Sequence, residues 1–160
     1  MNTFSLPQFL TLIQTVTDAI KDKPLDLALD NFLNEKFHAS SKTFKLIECA
    51  CHDGIETGAL CAQEAGGIKY GRVFEPSSEL SNYSVDLVYM KDVKGPRHCH
   101  PLGEIDLIIP IGSDAEFDNR GAGWMVYEPG SIHSPTVCNG DALVLYLLPE
   151  GKIEFIRKDQ

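Results

Sequence analysis

The chain has 160 residues, 43% of them hydrophobic, which is enough for one substantial core and leaves little for a second domain. A formal net charge of -9 and a sequence pI of about 4.9 repel phosphate backbones and anionic lipid, so no nucleic acid and no membrane is expected as a partner. No segment approaches the roughly 20 apolar residues of a membrane span, and the opening MNTFSLPQFL lacks the basic region of a signal peptide, so a cytoplasmic location is expected. The cysteines Cys49, Cys51, Cys61, Cys99 and Cys138 are odd in number and read as free thiols.

The first third has helical spacing. Phe9, Leu10, Ile13, Val16 and Ile20 form one stripe, with Ser5 and Pro7 as a start and Lys23-Pro24 as a stop. Leu25, Leu29, Phe32, Leu33 and Phe37 repeat the pattern in a second helix that ends between His38 and Lys42. From Thr43 the chain changes to short β-like runs broken by Gly, Pro, Asn and Asp. The expected strands are Phe44 to Cys49, Lys69 to Phe74, Ser84 to Met90, Pro96 to His100, Glu104 to Ile111, Gly123 to Tyr127 and Ala142 to Leu148. The stretch Asp53 to Ala65 reads as a short helix or a loop. No long helical pattern separates the strands, which argues against a parallel sheet with crossover helices. The expectation is one domain: a helical segment, 1–42, packed on an all-β barrel, 43–160. The helices can cover one open side of the barrel or form the surface of a homodimer.

Chemistry concentrates in two segments. In Gly95-Pro-Arg-His-Cys-His-Pro-Leu-Gly-Glu104, residues two apart on a strand share a face, so His98 and His100 can point inward together while Cys99 points away. A Pro-Leu-Gly turn can return the chain so that Glu104 reaches the same point. In the second segment, Pro129-Gly130 makes a turn that can present His133. Three imidazoles and one carboxylate suit one divalent ion among Fe, Mn, Co, Ni and Zn, whereas calcium asks for more oxygen ligands. Such a set leaves coordination positions open, the mark of a catalytic centre.

Strand alternation suggests the surroundings. Asp106 shares parity with Glu104 and can face inward; Tyr70 and Arg72 share a face of one strand, and Tyr89 lies on a neighbour. Tyr127 and Glu128 immediately precede the turn that presents His133. Arg72, Arg97 and Lys69 are the candidates to bind a substrate carboxylate, with the planar guanidinium suited to a bidentate contact. Each of these side chains also has an ordinary fate, in solvent, in an ion pair or in the core.

The His98-Cys99-His100 and Glu104 spacing resembles the first motif of the cupin superfamily, and Gly123, Pro129 and His133 resemble the second. The match departs from the pattern where only two residues separate Gly95 from His98, where seven separate Glu104 from Gly112, and where Val137 replaces the motif's Asn. The resemblance implies a cupin-type jelly-roll barrel. More of the chain resembles the 4-hydroxylaminobenzoate lyases: Leu102 to Pro110, the Asp-x-Arg-Gly-Ala-Gly-Trp stretch ending at Trp124, Tyr127 to Thr136 and Leu143 to Gly151. That likeness implies conversion of a small aromatic carboxylic acid, 4-hydroxylaminobenzoate, to 3,4-dihydroxybenzoate and ammonia. The metal would act as a Lewis acid on the hydroxylamino oxygen, and Glu128, Asp106, Tyr89 or Tyr127 would transfer protons. The alternatives are a metal-dependent cupin dioxygenase or isomerase acting on a small organic acid, and a non-catalytic small-molecule-binding cupin.

Overall fold

The computed structural model describes residues 3–156, so the extreme ends of the segments 1–42 and 43–160 lie outside the described residues. Three N-terminal helices precede ten strands. Helix α1, Leu6–Ile20, is capped by the Ser5 side chain, which accepts from Gln8 N at 3.3 Å, and Pro7 sits in its first turn, where no intrahelical N–H is needed. Helix α2, Leu27–Lys36, is capped by Asp26, which accepts from Leu29 N at 3.0 Å. Phe9, Ile13, Val16 and Ile20 on α1 and Leu29 and Leu33 on α2 are buried, as the spacing expects.

The segment expected as a strand from Phe44 to Cys49 is instead part of a third helix, α3, Lys42–Glu56. Ser41 caps it by accepting from Phe44 N at 3.2 Å, and Phe44, Ile47, Cys51 and Gly54 line its buried face. The helical period is hard to see because Gly54 contributes to the stripe without an apolar side chain. Gly is needed there because a Cβ would stand 2.3 Å from Leu60 Cδ1. The helical part therefore extends to Glu56, and the chain between it and the sheet is short.

The strands are β1 (Gln63–Ala65), β2 (Ile68–Phe74), β3 (Tyr83–Lys94), β4 (His98–His100), β5 (Glu104–Pro110), β6 (Glu116–Phe117), β7 (Gly123–Tyr127), β8 (Ser131–His133), β9 (Thr136–Pro149) and β10 (Glu154–Phe155). A seven-stranded sheet runs β1-β2-β3-β9-β5-β7 with β6 also on β9, and a three-stranded sheet runs β10-β4-β8; every pairing is antiparallel. The expected closed barrel is not formed, because hydrogen bonding does not join the two sheets. The all-β expectation is corrected to a mostly β protein with three helices.

Alternation along the large sheet sorts its two faces. Val85, Leu87, Ile105, Leu107, Leu143, Leu145 and Leu147 join the helices in the main core. Met90, Ile108, Val144 and Tyr146 face the other way and pack with Phe117 and Val137 in a second cluster. Burying an aliphatic side chain of this size contributes ~1.5–3 kcal/mol, so the helix-covered face fixes the sheet's register and frees the opposite face to carry polar groups. Asn34 and Asp30 tie α2 to β7: the Asn34 amide donates to Trp124 O at 2.9 Å and accepts from Trp124 N at 2.8 Å, and Asp30 accepts from Val126 N at 2.9 Å. Arg120 completes the join, its Nη1 2.8 Å from Asp30 Oδ2.

Candidate metal centre

The two sheets meet at four side chains. His98 and His133 are opposite each other on β4 and β8, and His100 follows two residues along β4. Glu104 begins β5 on the large sheet, after a turn whose Gly103 has φ +89. A Cβ at Gly103 would come within 2.7 Å of Tyr127 O, so only glycine permits this approach. The His100 carbonyl accepts from both Gly103 N, at 3.1 Å, and Gly130 N, at 2.7 Å, and so ties the turns of the two histidine segments together.

The Nε2 atoms of His98 and His100 are 3.0 Å apart, those of His100 and His133 2.8 Å, and Glu104 Oε2 is 3.1 Å from His100 Nε2 and 3.6 Å from His133 Nε2. The four ligand atoms all lie within 4.8 Å of one another. His98 directs Nδ1 to Pro96 O at 3.1 Å and His133 directs Nδ1 to Asp118 Oδ2 at 2.7 Å. Donation from those nitrogens leaves Nε2 lone pairs facing the common point. A buried carboxylate whose two oxygens have no hydrogen-bond partner, beside three imidazole nitrogens, suits a divalent cation, and this donor set fits Fe, Mn, Co, Ni or Zn.

Electrostatics agree with the geometry. Burial alone would raise Glu104, but His100 and His133 outweigh it and hold the carboxyl near 2. Burial lowers His98 to about 4, against the pull of Glu104. Burial would lower His133 too, yet its bonds to Asp118 and Glu104 lift it to about 9. Surroundings that hold a proton this firmly also attract a metal ion. Asp106 is fully buried beside Glu104; burial and then the Glu104 charge raise it well above the carboxylate range.

On one side of His98 lies a cavity of about 570 Å³ with largely apolar walls, including Ile68, Val88, Met90, Leu148 and Phe155. Tyr70 and Arg72 line it. Arg72 Nε is 3.0 Å from Asp86 Oδ1 and its Nη1 is 3.4 Å from Glu75. Asp106 lies beside Glu104 at the centre, and Tyr127 packs against His133 with ring centroids 4.2 Å apart and planes tilted by 38° while donating its hydroxyl to Asp118. The other candidates lie elsewhere. Lys69 and Tyr89 have the opposite strand parity and meet each other at 5.7 Å, with the Tyr89 hydroxyl donating to Asp141 at 2.8 Å. Arg97 and Glu128 are exposed and line neither this cavity nor the smaller one of about 500 Å³ on the far side of His133.

Three side chains near the centre were not singled out from sequence. Asp118 sits with Asn119 at φ 46 and 69 in a two-residue turn closed by Phe117 and Arg120, and besides His133 and Tyr127 it accepts from Thr136 N at 2.9 Å. Asp86 and Tyr146 occupy inward positions on β3 and β9. A turn residue rich in Asp and Asn announces its backbone, and only the tertiary contact reveals the second use of its carboxylate.

Two antiparallel sheets with buried imidazoles and a carboxylate between them define a cupin-like protein with a candidate metal centre. The sequence matches the family described as "PnbB: 4-hydroxylaminobenzoate lyase" over residues 11–155, and the chain belongs to that family. It is 31% identical over 153 residues to the 4-hydroxylaminobenzoate lyase of Pseudomonas putida, covering 85% of this chain and 87% of the relative. It is 30% identical over 145 residues to that of Nocardioides sp. (strain LMS-CY), covering 85% and 86%. Similar solved structures include a chain from crystal structures of DMSP lyases, at 10% identity, TM-score 0.51, and coverage of 96% of this chain and 100% of that one. Another is an RmlC-like cupin protein from Ralstonia eutropha JMP134, at 11% identity, TM-score 0.47, and coverage of 63% and 67%.

Proposed function

We propose that the protein is a metal-dependent lyase that converts 4-hydroxylaminobenzoate and water to 3,4-dihydroxybenzoate and ammonia. The observation that carries this reading is the convergence of His98, His100, Glu104 and His133 beside an apolar cavity in a chain of that family. The reaction balances with one water and no external oxidant. Those four residues would hold the ion, which when bound supplies Lewis acidity toward the hydroxylamino oxygen.

The chain's own groups do the rest. The apolar walls take the aromatic ring and exclude water from it. Arg72 binds the ring carboxylate, with Tyr70 beside it; Asp86 holds the guanidinium in the cavity wall. Asp106, whose carboxyl burial and the Glu104 charge raise well above the carboxylate range, is the favoured proton donor among Glu128, Asp106, Tyr89 and Tyr127. Tyr127 acts on the site through Asp118. Five free cysteines support a reducing, cytoplasmic setting, and exposed Leu6, Leu27 and Leu46 on the helices support a homodimer through that surface. Among the described residues no helix is long and apolar enough to cross a membrane.

The test is product analysis with metal-loaded protein under anaerobic conditions. Ammonia and 3,4-dihydroxybenzoate in equal amounts are expected without nicotinamide. Strict dependence on oxygen, or no ammonia from folded and metal-loaded protein, rejects the reading.

A further inference from the structure

Four polar side chains follow one another across the inner face of the large sheet. Arg72 is in register with Asp86, Asp86 with Tyr146, and Tyr146 with Asp106. Arg72 and Asp86 at one end bind each other, and Asp106 at the other end adjoins Glu104. Tyr146 stands between them. It is only 9% exposed and lines the large cavity together with His98 and Arg72. Its hydroxyl makes no hydrogen bond to another described residue.

Packing does not account for that hydroxyl. The ring meets Phe117 at 6.3 Å, and Phe would fill the same space. The oxygen is not among the fully enclosed atoms without a partner, so it opens on the cavity and is available to a molecule there. Two strand steps, ~10 Å, separate the backbones at Arg72 and Tyr146. A ring lying along this row with its carboxylate toward Arg72 turns its para position toward Tyr146. A meta or ortho substituent on the same ring is turned away from the phenol.

We propose that Tyr146 contacts the substrate, donating a hydrogen bond to the para substituent of a benzoate whose carboxylate lies toward Arg72, and that it thereby selects para-substituted benzoates. The inference rests on the lyase reading and adds a residue to it. Burial holds the phenol well above its ordinary range, so it remains a donor at neutral pH.

The experiment compares metal-loaded wild type with Tyr146→Phe, using benzoate, 3-hydroxybenzoate and 4-hydroxybenzoate as calorimetric probes alongside turnover, metal content and melting temperature. In the variant, affinity for 4-hydroxybenzoate is expected to fall about 5–10-fold, the size of one lost hydrogen bond. Affinity for benzoate and 3-hydroxybenzoate should hold within about twofold, kcat/KM should fall more than about tenfold, and the melting temperature should not drop. Equal binding of 4-hydroxybenzoate by both proteins with wild-type turnover overturns the role of Tyr146 and leaves the lyase reading standing. A fall in melting temperature with equal loss for all three probes makes Tyr146 a packing residue and also overturns it. If wild type binds none of the probes and has no lyase turnover, both readings fall.

Discussion

Asp118 Oδ2 stands 2.7 Å from His133 Nδ1, joining a two-residue turn to one wall of the candidate metal centre. The same carboxylate takes the Tyr127 hydroxyl and Thr136 N, so its position is fixed on three sides. Asp118→Asn keeps the shape and removes the charge. Metal affinity, measured by competition with a chelator, should fall about 10–100-fold, while circular dichroism stays unchanged. Unaltered affinity would show that the imidazole needs no charged partner.

His100→Ala removes the fully buried imidazole whose Nε2 lies closest to both other histidines and Glu104. Most bound metal and most turnover should be lost, because the remaining donors no longer enclose one point. The main core, built on the opposite face of the large sheet, should keep the protein folded. Elemental analysis after mild purification checks this.

In metal-stripped protein the His98 and His133 contributions to stability together peak near pH 6.5, while the contribution of Asp106, raised by burial and the Glu104 charge, falls steadily above its ordinary value of 3.8. His98, lowered to about 4 by burial, binds fewer protons folded than unfolded between pH 4 and 6.5, so stability rises with pH there. His133, lifted to about 9 despite burial by Asp118 and Glu104, contributes stability that is complete below its ordinary value of 6.5 and is lost as pH rises through about 9. Melting temperatures measured from pH 4 to 9 in wild type and His133→Gln should show a smaller decline between pH 6.5 and 9 in the variant. An alkaline decline of the same size in that variant would assign it to other groups.

Arg72→Ala should raise KM about 10–100-fold and change kcat by less than about threefold, since a carboxylate contact far from the reacting nitrogen is equally strong in ground and transition states. Lys69→Ala and Arg97→Ala serve as controls, because neither residue lines the cavity, and both should leave KM unchanged. Steady-state kinetics with equal KM effects for all three variants would remove Arg72 from the site.

The metal cluster was legible because strand parity and two glycine turns are local properties: His98 and His100 share a face by alternation, and Gly103 and Gly130 mark where the chain turns back. Tyr146 was not, since it lies in the uninterrupted apolar run Ala142 to Leu148, where no polar alternation distinguishes a wall position from a core position. Helix α3 was misread for a related reason: Phe44, Leu46 and Cys49 suggest a strand locally, and the helical face emerges only when Cys51 and Gly54 are counted. Lys69 and Tyr89 sit on strands that do border the site, yet on the face that parity assigns to the helices.

Asn34→Ala should lower stability by about 1–2 kcal/mol, because Trp124 N loses its partner while Trp124 O keeps Arg120 Nη1 at 2.7 Å. Turnover at low temperature should stay within about twofold, as Trp124 belongs to the helix-facing core. A melting curve beside an initial-rate assay separates the two effects.

By occupying the Trp124 and Val126 backbone groups, Asn34 and Asp30 imitate a neighbouring strand, so β7 offers no template to a second polypeptide. The opposite end of the sheet has no such cover: all three residues of β1 are exposed. Fibrous or edge-to-edge association of the folded protein through the large sheet must therefore start at Gln63–Ala65, and a lysine or proline placed there, not in β7, is the substitution that would suppress it.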